Sequence, residues 1–134
     1  MTVATTPTLE GVEADETLLR YINHLHIEDD GELKTVAFLG TRGLSVDRKA
    51  KVPSNRKGLG DRPPYVGTVE FTPNEYPNAR YVADPLDDNP AHTLIWHRNH
   101  SRTAQDRMAK DMKSLFRDRW NAREAARRRQ EMVA

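Results

Sequence analysis

The chain has 134 residues, 37% hydrophobic and 31% charged, with no cysteine and a formal net charge of +1. One domain with a small core is implied, and disulfides, thiolate zinc sites and cysteine nucleophiles are excluded. No apolar run reaches the length of a membrane span, and the first residues lack the basic and apolar regions of a signal peptide, so a cytoplasmic protein without a membrane partner is expected.

The small net charge hides a strong asymmetry. Residues 1–34 carry eight acids against Arg20 and Lys34, while residues 101–134 carry ten Lys or Arg against five acids. An acidic front and a basic tail can attract each other or engage separate partners.

Residues 1–14 are rich in Thr, Pro and Glu with no apolar period, which predicts a mobile leader before a single domain over 15–134. Residues 17–27, TLLRYINHLHI, read as a first strand with Leu19 and Tyr21 on one face and Leu18, Arg20 and Ile22 on the other. EDDGE, residues 28–32, reads as a hairpin turn because Asp30-Gly31 tolerates positive φ. LKTVAFL (33–39) and GLSVDR (43–48) are the second and third strand candidates.

Residues 49–64 hold two glycines and three prolines, and six Lys or Arg fall between Arg48 and Arg62, so a solvated basic loop is expected. YVGTVEF (65–71), RYVADP (80–85) and HTLIWH (92–97) are the remaining strand candidates. Between the last two, Asp84-Pro85 and Asn89-Pro90 force extended geometry and supply turn chemistry. From Ser101 or Thr103 to about residue 130, Ala104, Met108, Met112, Leu115, Phe116 and Trp120 share one helical face. Thr103 and Asp106 resemble a capping box, and the arginine-rich end, residues 121–134, is expected to protrude. The fold class that follows is α+β: a mainly antiparallel sheet of five or six short strands with one long C-terminal amphipathic helix.

Several residue sets could carry chemistry. His24 and His26, two apart on a strand, share a face, and Asp84, Asp87 and Asp88 offer oxygen ligands, but no complete metal-binding spacing links them. Neither a metal nor a cofactor is therefore assigned. Arg20, Ser45 and Glu70 resemble, in their order on three strands, the Arg, Ser and Glu of ADP-ribosyltransferase-like enzymes. That resemblance implies nucleotide handling, with Arg20 and Ser45 holding NAD and Glu70 polarising the ribose. His92 stands out in its turn because prolines and aspartates alone account for the chain reversal.

The segments LLRYI (18–22), VAFLGTRGLSVDR (36–48) and VADPLDDNPAHTLI (82–95) resemble a loosely defined group of small bacterial proteins of unknown function. Its members share LLR, AF...LSVD and DP...NPAH segments; the resemblance implies architecture and a bacterial origin, not a mechanism.

The function expected from these features is that of a small non-enzymatic binding or accessory protein. It would dock onto a protein partner or larger assembly, or onto nucleic acid, through the basic loop and the C-terminal helix. The residues assigned to docking are Arg48, Lys49, Lys51, Arg56, Lys57, Arg62, Arg117, Trp120, Arg123, Arg127, Arg128 and Arg129. The alternative is an ADP-ribosyltransferase-like or other nucleotide-handling enzyme on Arg20, Ser45 and Glu70.

Overall fold

The computed structural model describes residues 6–133. Six strands, β1 (Thr8–Glu10), β2 (Leu18–Asn23), β3 (Leu44–Arg48), β4 (Tyr65–Phe71), β5 (Ala79–Ala83) and β6 (His92–His97), precede two helices, α1 (Arg102–Phe116) and α2 (Ala122–Val133). The strands form one open sheet in the order β1-β5-β6-β3-β2-β4, antiparallel except where β1 runs parallel to β5. The expected α+β class with a mostly antiparallel sheet is what the chain adopts.

Alternation divides the sheet into two faces. Leu18 and Ile22 of β2, Leu44 and Val46 of β3, Val69 and Phe71 of β4, and Ile95 of β6 are buried on the helix side. Against them α1 places Ala104, Met108, Met112 and Phe116, four of the six residues whose spacing predicted the apolar stripe. Phe116 is the centre of this layer: its ring stacks on Phe71 at 4.7 Å and meets the edge of Phe38 at 5.8 Å. Leu115 falls outside the stripe and is 48% exposed.

Five expectations need correction. Of the expected leader, residues 1–5 lie outside the described residues, but Thr8–Glu10 form β1, Glu10 pairs with Arg80 across the ladder, and Val12 joins the core. Residues 33–39 do not add a strand; Thr35–Phe38 make a 3-10 turn that buries Ala37 and Phe38. This turn packs beside the far end of β2, where Ala37 O accepts from Arg20 Nε in place of a ladder bond.

The single long helix is interrupted after Phe116, and Arg117–Arg119 form a 3-10 turn. There the Trp120 indole N–H donates to Gly31 O at 2.8 Å, and Asn121 caps α2 by accepting the Glu124 N–H at 3.1 Å. The N-cap of α1 is Ser101, whose hydroxyl accepts the Ala104 N–H at 3.0 Å, rather than Thr103.

Finally, α2 does not protrude. Arg129 donates to Ile27 O and Arg128 to Val66 O, while Arg119 donates to Glu70 O. Val66 and Glu70 belong to β4, the edge strand, so these guanidinium groups satisfy carbonyls that would otherwise be open to another chain.

The close fit of α2 against the turn predicted at residues 28–32 depends on Gly31, which has φ +88° and no room for a side chain. A Cβ there would lie 1.8 Å from Ala122 O. Gly31→Ala is expected to destabilise the protein by about 1–3 kcal/mol from backbone strain alone, with the displacement of α2 adding to the loss. Urea unfolding measures it, and loss of Trp120 fluorescence anisotropy in a Trp96→Phe background reports the displaced helix.

Candidate functional site

The sheet is nearly split. Strand β2 pairs with β4 along its whole length but with β3 only at Leu18↔Arg48 and Leu19↔Asp47. Strand β3 continues instead with β6, from Leu44↔Ile95 to Asp47↔His92. Beyond Leu19 and Asp47 the two halves therefore diverge, and a polar cleft of about 250 Å³ opens between them. Its walls are Arg20, Tyr21 and Asn23 of β2, His26 just after it, Ser45, Val46 and Asp47 of β3, Tyr65 of β4, Arg56 of the basic loop and His92 of β6.

Asp47 organises one side. Its side chain is buried, and its Oδ2 accepts from the Tyr21 hydroxyl at 2.8 Å and from Arg56 Nη2 at 3.2 Å. Its Oδ1 accepts from Asn89 Nδ2 at 2.8 Å. One carboxylate thus links β2, β3, the basic loop and the β5–β6 turn. Desolvation, then the Asp47 hydrogen bond, pushes the Tyr21 phenol well above its ordinary range, so it remains a donor.

Arg20 fills the divergence. Its Nε donates to Ala37 O at 2.8 Å and its Nη1 to Ser45 O at 3.0 Å. It has no ion pair among the described residues, and desolvation lowers it from 12.5 to about 10. A guanidinium held by two carbonyls, with no counter-charge, leaves an electropositive spot in the cleft.

His26 borders that spot. Its Nδ1 accepts the Asn23 N–H at 3.1 Å, which fixes the proton of the neutral ring on Nε2. Burial, followed by the positive charges of Arg20, His24 and Lys34, pulls its pKa down to about 4.

On the other wall, Ser45, His92 and Asp84 form a hydrogen-bonded line. His92 Nδ1 lies 3.1 Å from both Asp84 O and Asp84 Oδ2, and His92 Nε2 lies 3.2 Å from Ser45 Oγ. Two oxygen acceptors at Nδ1 place the proton there, so Nε2 accepts the Ser45 O–H. The adjacency follows from register: His92 pairs with Asp47, and Ser45 stands two residues from Asp47 on the same face.

Beside the cleft, and sharing Tyr21 and Arg56 with it, a groove of about 450 Å³ runs under the basic loop. Leu19, Val52 and Leu59 give it an apolar floor, with Lys57 and Thr68 at its sides.

The residues singled out from sequence therefore scatter. Arg20, Ser45 and His92 come together, and Arg56 joins them. Glu70 does not: it pairs with Leu19 in the ladder, on the opposite face from Arg20, and its carboxylate contacts Lys49 at 2.6 Å. The Arg20, Ser45 and Glu70 arrangement of ADP-ribosyltransferase-like enzymes is thereby not formed.

Much of the expected docking surface is engaged within the chain. Arg48 pairs with Glu16 at 2.7 Å, and Arg62 donates to Asn55 O and Lys57 O. Arg127 bridges Glu124 and Glu131, Arg128 meets Asp61 at 3.0 Å, and Arg129 meets Asp29 at 2.9 Å. Trp120 is half-buried over Gly67, and Phe116 is fully buried. Lys51, Lys57, Arg117 and Arg123 remain exposed without an ion pair among the described residues.

Sequence reasoning gives Asp47 and Tyr21 no functional role, Asn89 only a part in the turn and His26 only a candidate metal-ligand role, whereas His26 lies in a 3-10 turn beside the cleft. The available signal is Asp47, an acid two residues after Ser45 inside the apolar LSVDR strand, where Asp is disfavoured without a partner. Comparison with protein-family models, curated proteins and solved structures finds no match to this chain.

His26 makes stability depend on pH. Its folded pKa of about 4 lies below the ordinary 6.5, so between those values the unfolded chain binds the extra proton. The stability it confers is present above about pH 6.5 and is lost as pH falls toward 4. His26→Gln, which keeps an acceptor within reach of Asn23, is expected to flatten this part of the stability–pH curve in urea titrations.

Proposed function

We propose that this protein is a small binding protein whose site is the divided sheet rather than the C-terminal helix, and whose ligand carries an oxyanion. The observation that supports this reading is Arg20, a desolvated cation with no carboxylate partner among the described residues, opening onto a cleft with neutral His26 beside it. Phosphate or carboxylate oxygens satisfy a guanidinium in the manner its remaining N–H groups require. The neighbouring groove, with Leu19, Val52 and Leu59 below and Lys57 at the side, accepts a partly apolar body attached to that anionic head.

A role as an accessory protein docking onto a larger partner is compatible with this site. In that case the docking cations are Lys51 and Lys57 of the loop with Arg117 and Arg123, because Arg128 and Arg129 already hold α2 to the body and Arg127 is paired with Glu124 and Glu131 within α2.

The test is a titration with inorganic phosphate and, separately, acetate, followed by the ring resonances of His26. Phosphate binding in roughly the millimolar range is expected to raise the His26 pKa from about 4, because a nearby anion favours the imidazolium. Arg20→Lys is expected to weaken this response at least about tenfold, having lost the planar fork. A response to acetate alone identifies a carboxylate ligand. No movement of His26 with either anion contradicts the proposal.

A further inference from the structure

The Ser45, His92 and Asp84 line is not required for holding an anion, and its hydrogen bonds have a direction. We propose that Ser45 is an activated nucleophile and that the cleft hydrolyses a carboxylic ester, with His92 as general base and Asp84 as the residue that positions it.

Three observations converge on this. The spacing of nucleophile, base and orienting carboxylate, 3.2 Å and 3.1 Å, is that of a working relay. The tautomer is set by two acceptors at His92 Nδ1, so the basic Nε2 faces the hydroxyl. Ser45 is exposed at the cleft while both its neighbours, Leu44 and Val46, are buried, so its hydroxyl is accessible on a rigid strand.

The divergence of β2 from β3 supplies the remaining part. Ser45 O faces β2, since it accepts from Arg20, and in extended backbone a residue's N–H points to the same side as its C=O. No β2 residue pairs with Ser45, so its N–H lies open toward the guanidinium. A negative oxygen forming beside Ser45 would meet these two donors.

The reaction balances with water as the only co-reactant. Ser45 Oγ bonds to the ester carbonyl carbon and its proton passes to His92 Nε2. The resulting oxyanion collapses, the bond to the alkoxide breaks, and His92 returns the proton to the departing alcohol. Water then adds to the acyl carbon, giving its proton to His92, and the bond to Ser45 breaks as Oγ recovers that proton. Ester and water become acid and alcohol.

The test uses the whole chain, treated with a fluorophosphonate probe and assayed with 4-nitrophenyl acetate. A covalent mass increase on the peptide containing Ser45 is expected, absent from Ser45→Ala. Ester hydrolysis should fall at least about a hundredfold in Ser45→Ala and in His92→Gln. Asp84→Asn should lower the rate and change its pH profile, which a purely structural role would not do. Circular dichroism of each variant separates lost chemistry from lost folding. Absence of the adduct in the folded wild-type chain, or equal hydrolysis by wild type and Ser45→Ala, overturns the proposal. Failure here with the His26 response to phosphate intact removes only the nucleophile; the opposite result removes only the oxyanion reading.

Discussion

One buried carboxylate holds the open face of this protein together. Asp47 accepts from Tyr21, Arg56 and Asn89, and so binds a central strand to its neighbour, to the basic loop and to the β5–β6 turn. A buried ionised group costs several kcal/mol unless its lone pairs are filled, and here three donors from three separate segments fill them. The arrangement is cooperative in consequence: no one segment can move without leaving a buried polar atom unpaired. It also sits at the last pairing between β2 and β3, directly below the point where the sheet divides.

That division is what turns a small α+β domain into one with a site. A continuous ladder would have satisfied Ser45 by backbone pairing with β2 and left no space for a side chain. Instead Arg20, projecting from the helix-side face, supplies donors to Ser45 O and Ala37 O and replaces part of the missing ladder. The fold thereby carries a cation in its middle without an acid to neutralise it among the described residues. At the edge of the same sheet, Arg119 and Arg128 bond the carbonyls of β4, so the arginines of the C-terminal region serve closure of the fold.

The sequence was most informative where a period is long. The α1 stripe of Met108, Met112 and Phe116 and the strands at 44–48, 65–71 and 92–97 were legible from apolar spacing. Residues 33–39 are not, because VAFL reads equally as strand or as buried turn, and only the tertiary packing of Ala37 and Phe38 into the core decides between them. The break at Arg117–Asn121 is hidden because no Gly or Pro marks it and good helix formers resume beyond it; a contact 89 residues away, Trp120 to Gly31, fixes it. Likewise Ser45 and His92, 47 residues apart, meet through register alone, although each was already singled out for its own chemistry. The role of Asp47 is not legible because its partners lie in three different segments, and the docking of the basic tail is not because the acids that pair with it, Asp29 and Asp61, are distant in the chain.

The central claim is that Asp47 ties the loop and the β5–β6 turn to the divided sheet. Amide hydrogen exchange in Asp47→Ala, compared with wild type, tests it most directly. The account predicts faster exchange concentrated in residues 49–62 and 84–91, with α1 protected as before under conditions where the variant remains folded. Unchanged protection in both segments would contradict it.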